Sequence, residues 1–330
     1  MTEQKELNEL KTGDEINHFL LLNKIELKTT RNNKEYLSLE LRDKSMVIPA
    51  KMWDDFNSLA NSAKEGSIVK IKGTLEEFNN QPQIRITKIR LSQDSDNVSH
   101  EDFLPKSSRP LNDMVTELKN RIEVIQNEHL KSLLNQILAG DTFEKYISVP
   151  AGKSWHHSYL HGLLEHTLEI VKICDLMCSI HSELNRDLLI TGALLHDFGK
   201  TEELSYETGF DYTDEGRLLG HIVIAALKID EAIDNINDFP KDLKTQLIHL
   251  ILSHQGKLEY ASPVEPKTLE AIVLYHADEL SAKTNAYKLA IHSEQNKEGN
   301  WTKFLQLAGT ALYTKRNNNS NNEIKNTLFD

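Results

Sequence analysis

Ten of the fourteen histidines lie between residues 156 and 276. Within that stretch one combination calls for chemistry. The apolar run Leu188 to Leu195 leads directly into His196-Asp197, followed by Phe198-Gly199-Lys200. Core packing gives no reason to end such a run on an imidazole and a carboxylate. A divalent metal does, because it needs neutral imidazole and carboxylate ligands on a rigid element from which water is largely excluded. A carboxylate is costly to bury unless paired or coordinated, so Asp197 is the stronger of the two signals. The partial negative charge at a helix C-terminus also favours a cation there.

Four more residues have the same character. His166, in Gly162-Leu163-Leu164-Glu165-His166-Thr167, shares a helical face with Ile170, Ile173 and Met177; alone it would read as a satisfied core histidine. His221 follows Gly220 and opens a helical pattern over 222–233. His254 closes one over 243–253, with Gln255-Gly256 as its cap. Asp278 falls on a face with Ala271, Leu274 and Ala282, where packing alone would place an apolar side chain. His166, His196, Asp197 and Asp278 make a ligand set for one ion. The mix of imidazole and carboxylate suits Mn²⁺, Fe²⁺, Co²⁺, Ni²⁺ or Zn²⁺ rather than Ca²⁺. If His221 and His254 also point inward, Asp197 bridges a second ion. Two ions roughly 3.5–4 Å apart clamp a phosphate and lower the pKa of a bound water.

Around this set lie residues suited to a phosphate substrate. Asp197 and Lys200 form the candidate catalytic pair. Lys200 follows about one helical turn after Asp197 and is placed to neutralise a phosphoryl oxygen; its plainer reading is a surface lysine after a helix cap. Lys153, His156 and His157 are candidates for the substrate entrance, and Arg217 for a further phosphate contact. His156 and His157 are adjacent, so in an extended segment they point apart and one of them is expected to reach the site.

Such ligands need helices to hold them. From Pro110 the pattern is helical: Leu111, Val115, Leu118, Ile122, Ile125, Leu133 and Ile137 recur at three- and four-residue steps, which predicts one amphipathic helix ending at Gly140. Residues 146–161 read as irregular, and helices then continue to about 312. Residues 10–92 have a different period. Alternating apolar segments at 19–27, 36–43, 46–53, 67–76 and 83–91, with a short helix at 54–64, give the element order of an OB-type barrel. Tyr36, Trp53 and Lys88, near Phe78, Lys70, Lys72 and Arg90, are candidates for a surface that stacks bases and tracks phosphates. The plainer reading is solvated strand faces and core aromatics. Strict alternation puts Lys88 and Arg90 on one face and Arg85 on the other. The expected architecture is therefore multidomain: a small all-β OB-type barrel (1–95), a linker (96–110), an all-α helical domain (111–314) and a mobile tail (315–330).

Charge follows this division. Residues 1–95 carry 15 basic and 15 acidic side chains, and residues 96–330 carry 23 and 35. The net charge of −12 thus belongs to the helical part, which suits a cation-holding domain beside a neutral one with clustered bases. No run of eighteen apolar residues occurs, so no membrane span is expected. The charged start, Met1 to Glu6, has no apolar signal core, which points to the cytoplasm. The two cysteines, Cys174 and Cys178, are too few for a disulfide scaffold or a thiolate-only zinc site and read as small buried hydrophobes.

The spaced set His166, His196-Asp197 and Asp278 resembles the HD-domain metal-dependent phosphohydrolases, an all-helical superfamily. Ala151-Gly152-Lys153-Ser154-Trp155-His156-His157, then Gly162-Leu163-Leu164-Glu165-His166-Thr167, then Leu194-Leu195-His196-Asp197-Phe198-Gly199-Lys200, behind an OB-type barrel, is similar to the YhaM-type 3′→5′ exoribonucleases. Gly220-His221 and Ser253-His254-Gln255-Gly256 fit the same pattern. One departure is Trp155, where a smaller or polar residue is expected. The resemblance implies hydrolysis of single-stranded RNA, with single-stranded DNA as a second polymer, from the 3′ end to nucleoside 5′-monophosphates, commonly with Mn²⁺. Whether the barrel grips RNA or joins identical subunits into a homo-oligomer stays open. Two other functions use the same residues. One is a phosphodiesterase or nucleotidase acting on a small nucleotide, which gives no reason for a barrel. The other is a non-catalytic nucleic-acid-binding protein, which gives no reason for buried Asp197 and Asp278.

Overall fold

A computed structural model describes residues 4–206, 209–294 and 299–315. The tail beyond 315, where mobility is expected, lies outside the described residues.

The alternating segments form five strands: β1 (Glu15–Thr29), β2 (Glu35–Arg42), β3 (Val47–Met52), β4 (Ile68–Phe78) and β5 (Gln81–Leu91). A short helix, α1 (Asn57–Ser62), lies between β3 and β4. They close in the order β1-β2-β3-β5-β4, with β3 and β5 parallel and the other pairs antiparallel. Inward residues such as Leu20, Leu39, Ile48, Ile71 and Ile84 are fully buried.

The alternation in β5 fails at one place. Lys72 pairs with Lys88 but the next residue, Gly73, pairs with Ile86, so Thr87 is an extra residue in the strand. Such a bulge resets the parity of everything beyond it. Ile84 and Ile86 face the core, and Arg85, Lys88 and Arg90 are all exposed on the outer surface. The expected split between Arg85 and the other two is thereby corrected.

The region of 96–110 is packed rather than free. Phe103 and Leu104 are buried against Leu21 and Ile68 of the barrel and Leu160 of the helical part. The single helix expected from Pro110 to Gly140 is two helices, α2 (Leu111–Glu123) and α3 (Glu128–Ile137), and a third, α4 (Gly140–Ser148), starts at the glycine that ends the expected one. The break after α2 is built by side chains. Asp187 accepts hydrogen bonds from the backbone of Gln126 and Asn127, each at 2.8 Å, and Asn127 Oδ1 caps α3 through the Leu130 amide. A stripe at helical spacing survives the break because both helices pack on the same core. The irregular stretch expected from 146 begins after Ser148.

The remaining helices are α5 (Gly162–Ile180), α6 (Arg186–Leu195), the short α7 (Lys200–Glu203), α8 (Asp214–Asp234), α9 (Lys241–Ser253) and α10 (Leu269–Glu294). A two-stranded ribbon, β6 (Leu204–Ser205) with β7 (Asp211–Tyr212), joins α7 to α8. The helix α6 is buried on every side, from Leu188 to Leu195, and α5, α9 and α10 pack around it. Cys174 is buried and Cys178 half-buried, both as free thiols. No helix among the described residues is long and apolar enough to cross a membrane.

Candidate metal centre

The end of α6 is held in place before any ligand is considered. Tyr146 Oη donates to the Leu194 carbonyl at 2.7 Å, and His196 Nδ1 donates to the Ala193 carbonyl at 2.8 Å. Gly199 then allows a close approach. A Cβ at that position would lie 2.0 Å from the His221 carbonyl, so any other residue would push α8 away. Within α8 the backbone kinks at Gly220, with φ at 74°, and this turn delivers His221 to the same place.

Asp197 stands at the centre. Its Oδ2 lies 3.3 Å from His196 Nε2, 3.7 Å from His166 Nε2 and 2.5 Å from Lys200 Nζ. Its Oδ1 lies 3.3 Å from His221 Nε2 and 3.6 Å from His254 Nε2. Asp278 Oδ1 is 3.0 Å from His166 Nε2. The two oxygens of one carboxylate therefore face two different pairs of imidazoles.

The far nitrogen of each ring is occupied. His254 Nδ1 donates to the Ile251 carbonyl at 2.7 Å, as His196 does to Ala193. His221 Nδ1 donates to Glu203 Oε1 at 3.1 Å, and the His221 amide donates to the same oxygen at 3.0 Å. His166 Nδ1 donates to Ser281 Oγ at 3.0 Å, and that hydroxyl donates to Glu169 at 2.6 Å. A ring that spends its Nδ1 proton this way presents a lone pair at Nε2. The Nε2 atoms of His166, His196 and His254 are buried and without a hydrogen-bond partner. Buried lone pairs converging on a carboxylate are the donor set a divalent cation takes, so the residues fit a metal.

For His166, His254 and the two carboxylates the electrostatics agree. Burial pushes the His166 pKa down to about 4 against the pull of Asp278, and burial also lowers His254, so both rings are neutral at pH 7. Burial opposes ionisation of Asp197 and Asp278, but Lys200 and His196 hold Asp197 well below the usual carboxylate range, and His166 does the same for Asp278. Burial lowers His196 too, yet the adjacent Asp197 outweighs it and the net shift is upward.

Sequence comparison bears on this geometry. Residues 163–283 match the HD domain, and residues 23–92 match the OB-fold nucleic acid binding domain. A protein of Geobacillus sp. (strain WCH70), called "3'-5' exoribonuclease YhaM", is 33% identical over 88% of this chain and 88% of its own. Its namesake in Bacillus subtilis (strain 168) is 32% identical over 88% and 91%, and that of Oceanobacillus iheyensis 33% over 92% and 95%. This chain belongs to the YhaM family. As in the YhaM pattern expected above, an OB-type barrel precedes the HD-domain helices, and the centre is a divalent-metal site built on the buried His and Asp cluster.

His156 and His157 both reach the centre, contrary to the expectation for an extended pair. His157 adopts a left-handed backbone, with φ at 43°, which turns its ring the same way as its neighbour's. Their Nδ1 atoms are 3.3 Å apart, and the two ring centroids lie 4.6 and 5.1 Å from that of His166. Lys200 is buried against Asp197, not a surface lysine. Lys153 and Arg217 turn to Asp211 of the ribbon, at 2.7 and 3.2 Å. On the barrel, Tyr36 and Trp53 stack at 4.7 Å, with Lys51 over Tyr36 and Phe78 and Lys34 over Trp53. Lys88 stands opposite Lys72 in a separate row.

Glu169, Glu203 and Ser281, not among the expected residues, also belong to the centre. Each had a signal. Glu169 and Ser281 lie three residues after His166 and Asp278, and Glu203 three after Lys200, so each shares a face with a residue of the centre. For Lys34 and Lys51 no such signal exists, because only the folded barrel brings them over the aromatic pair.

Proposed function

We propose that this protein is a metal-dependent 3′→5′ exoribonuclease that shortens single-stranded RNA, and secondarily single-stranded DNA, to nucleoside 5′-monophosphates in the cytoplasm. The observation that carries the reading is the division of Asp197 between two imidazole pairs, Oδ2 toward His166 and His196 and Oδ1 toward His221 and His254. A carboxylate shared in this way suits a phosphodiesterase that uses two ions. The direction of attack and the polymer are supported by the names of the relatives and by the OB-type barrel.

His166, His196, Asp197 and Asp278 would hold one ion, and Asp197, His221 and His254 a second. The donor set suits Mn²⁺, Co²⁺, Fe²⁺, Ni²⁺ or Zn²⁺, and the resemblance to the YhaM-type enzymes favours Mn²⁺ among them. When bound, such ions supply a water nucleophile at neutral pH and stabilise charge on the attacking and leaving oxygens. Glu203 and the Ser281–Glu169 relay keep His221 and His166 in the tautomer that ligates. Lys200, held in a dry setting beside Asp197, keeps its ammonium near the phosphoryl oxygens, where charge builds. His156 lines the entrance, and His157, fully buried behind it against Glu169, holds its ring in place rather than meeting the substrate itself. Lys153 and Arg217, which share Asp211, contact the strand's phosphates. Tyr36, Trp53 and the lysines over them hold upstream bases and phosphates, and Lys88 extends the basic outer face.

The test is a gel of 5′-labelled single-stranded RNA incubated with the protein and Mn²⁺. A ladder that shortens from the 3′ end, stopped by chelator and restored by Mn²⁺, is expected. Intact RNA alongside rapid hydrolysis of a small nucleotide would overturn the reading, as would immediate release of the labelled 5′ nucleotide.

A further inference from the structure

We propose that the cavity over Asp197 and Asp278 seats the 3′-terminal nucleoside, whose base stacks on Tyr275 and Tyr260; this rests on the exoribonuclease reading above. The cavity encloses about 360 Å³ and is walled by Trp155, His156, Gln255, Tyr260 and Tyr275, with Asp197, Lys200 and Asp278 at its floor. Its size is at the low end for small-molecule sites, roughly 300–1,000 Å³. That is room for one nucleotide.

The chemistry of the walls is divided. The floor is the metal centre, which takes a phosphate. The sides carry three aromatic rings, which a phosphate does not need and a nucleobase does. A ligand with an anionic end and a flat apolar end matches that division. The Glu279–Lys283 pair, 2.6 Å apart, completes the polar side of the same cavity.

Tyr275 is set in place as a platform. A Cβ at Gly256 would fall 2.3 Å from its ring, so the ring lies directly against the backbone that follows His254-Gln255. Gly256 also has φ at 78°, which an ordinary side chain rarely adopts. On another side the Tyr275 ring packs on His276, with centroids 4.5 Å apart. Tyr260 is half exposed and carries the Lys257 ammonium 5.3 Å from its ring centroid. Trp155, the residue that departs from the expected pattern, is braced edge-on by Tyr287 at 6.2 Å. Rings held from behind by glycine backbone and by neighbouring rings lose little freedom when a base stacks on them. A cavity of this size admits one nucleotide, which suits the proposed release of nucleoside 5′-monophosphates.

The experiment compares two RNAs of one sequence, one ending in an ordinary nucleotide and one in an abasic nucleotide. Removal of that last residue is timed with the Mn²⁺-loaded full-length protein. Wild type should prefer the intact end by about 10-fold or more in kcat/KM, the range for loss of one stacked base. Tyr275→Ala and Tyr260→Ala should each narrow that preference, and Tyr275→Phe, which keeps the ring, should retain it. Equal preference in wild type and both alanine variants, or none in wild type, overturns the proposal. Calorimetric binding of adenosine 5′-monophosphate gives a second reading that does not depend on turnover. It should weaken about 10-fold in Tyr275→Ala, again the scale of one lost stack, and unchanged binding overturns the pocket. If wild type leaves all RNA intact, the exoribonuclease reading fails while this binding result still judges the cavity.

Discussion

Replacing Asp197 with alanine probes the centre in a single step, because both of its oxygens are in use. Four histidine Nε2 atoms lie 3.3–3.7 Å from that carboxylate, two on each oxygen. Loss of the side chain should therefore empty both proposed ion positions, whereas His221→Ala should empty only the second. Metal content after desalting from Mn²⁺ should fall to well below one ion per chain in Asp197→Ala and by one ion in His221→Ala. Turnover of RNA should fall by about 10²–10³-fold or more, the usual cost of removing a key electrostatic group at a reacting phosphate. A second effect must be separated from this. Lys200 is buried 2.5 Å from the same carboxylate, so the alanine variant strands an ammonium, which costs about 3–5 kcal/mol of stability. Adding Lys200→Met removes the stranded charge. The double variant should regain much of the lost urea resistance while staying metal-poor and inactive. If Asp197→Ala kept its metal and turned RNA over within about 10-fold of wild type, a loss smaller than such a group costs, the shared-carboxylate reasoning would be wrong.

Three further outcomes are expected. Glu203→Gln should loosen His221 and weaken metal binding by about 10–100-fold, seen by metal titration, with the fold intact by circular dichroism. Tyr36→Ala and Trp53→Ala should each weaken binding of a long single strand by roughly 5-fold or more in fluorescence titration, and leave hydrolysis of a dinucleotide nearly unchanged. The metal-stripped protein should lose stability in acid because of His166. Its folded pKa of about 4 lies below the ordinary 6.5, so the unfolded chain takes up a proton that the folded ring refuses. That stabilisation is intact above pH 6.5 and is lost as pH falls toward 4, by up to roughly 3 kcal/mol. His166→Asn should flatten this part of the urea-midpoint profile, and an unchanged profile would reject the assignment.

Much of this centre was legible before the fold was known. A carboxylate in an apolar helical face is expensive, so Asp197 and Asp278 announced themselves by type and position alone. Strand period and the short helix after the third strand were likewise enough for an OB-type barrel, because strict alternation puts every second side chain on one buried face, which a helix cannot do. The errors arose where one local feature overrides a period. Thr87, a single extra residue in β5, moved Lys88 and Arg90 onto the face of Arg85. Asp187, some sixty residues away, broke an apparently continuous helix at Gln126 and Asn127. A left-handed turn at His157 brought two rings together that an extended chain would have parted.

Residue chemistry and spacing thus determined which side chains could ligate a metal and which half of the chain would carry them. Those properties are local: burial cost and helical period act over a few residues. The tertiary structure alone decided how the ligands divide. Asp197 serves two imidazole pairs because α5 brings His166 to one of its oxygens, beside His196 at the end of α6, while α8 and α9 bring His221 and His254 to the other, and the near-contact of Gly199 with His221 sets that approach. No spacing along the chain encodes such a distance. It arises only when separate helices bury their apolar faces against α6 and carry their polar residues to its end.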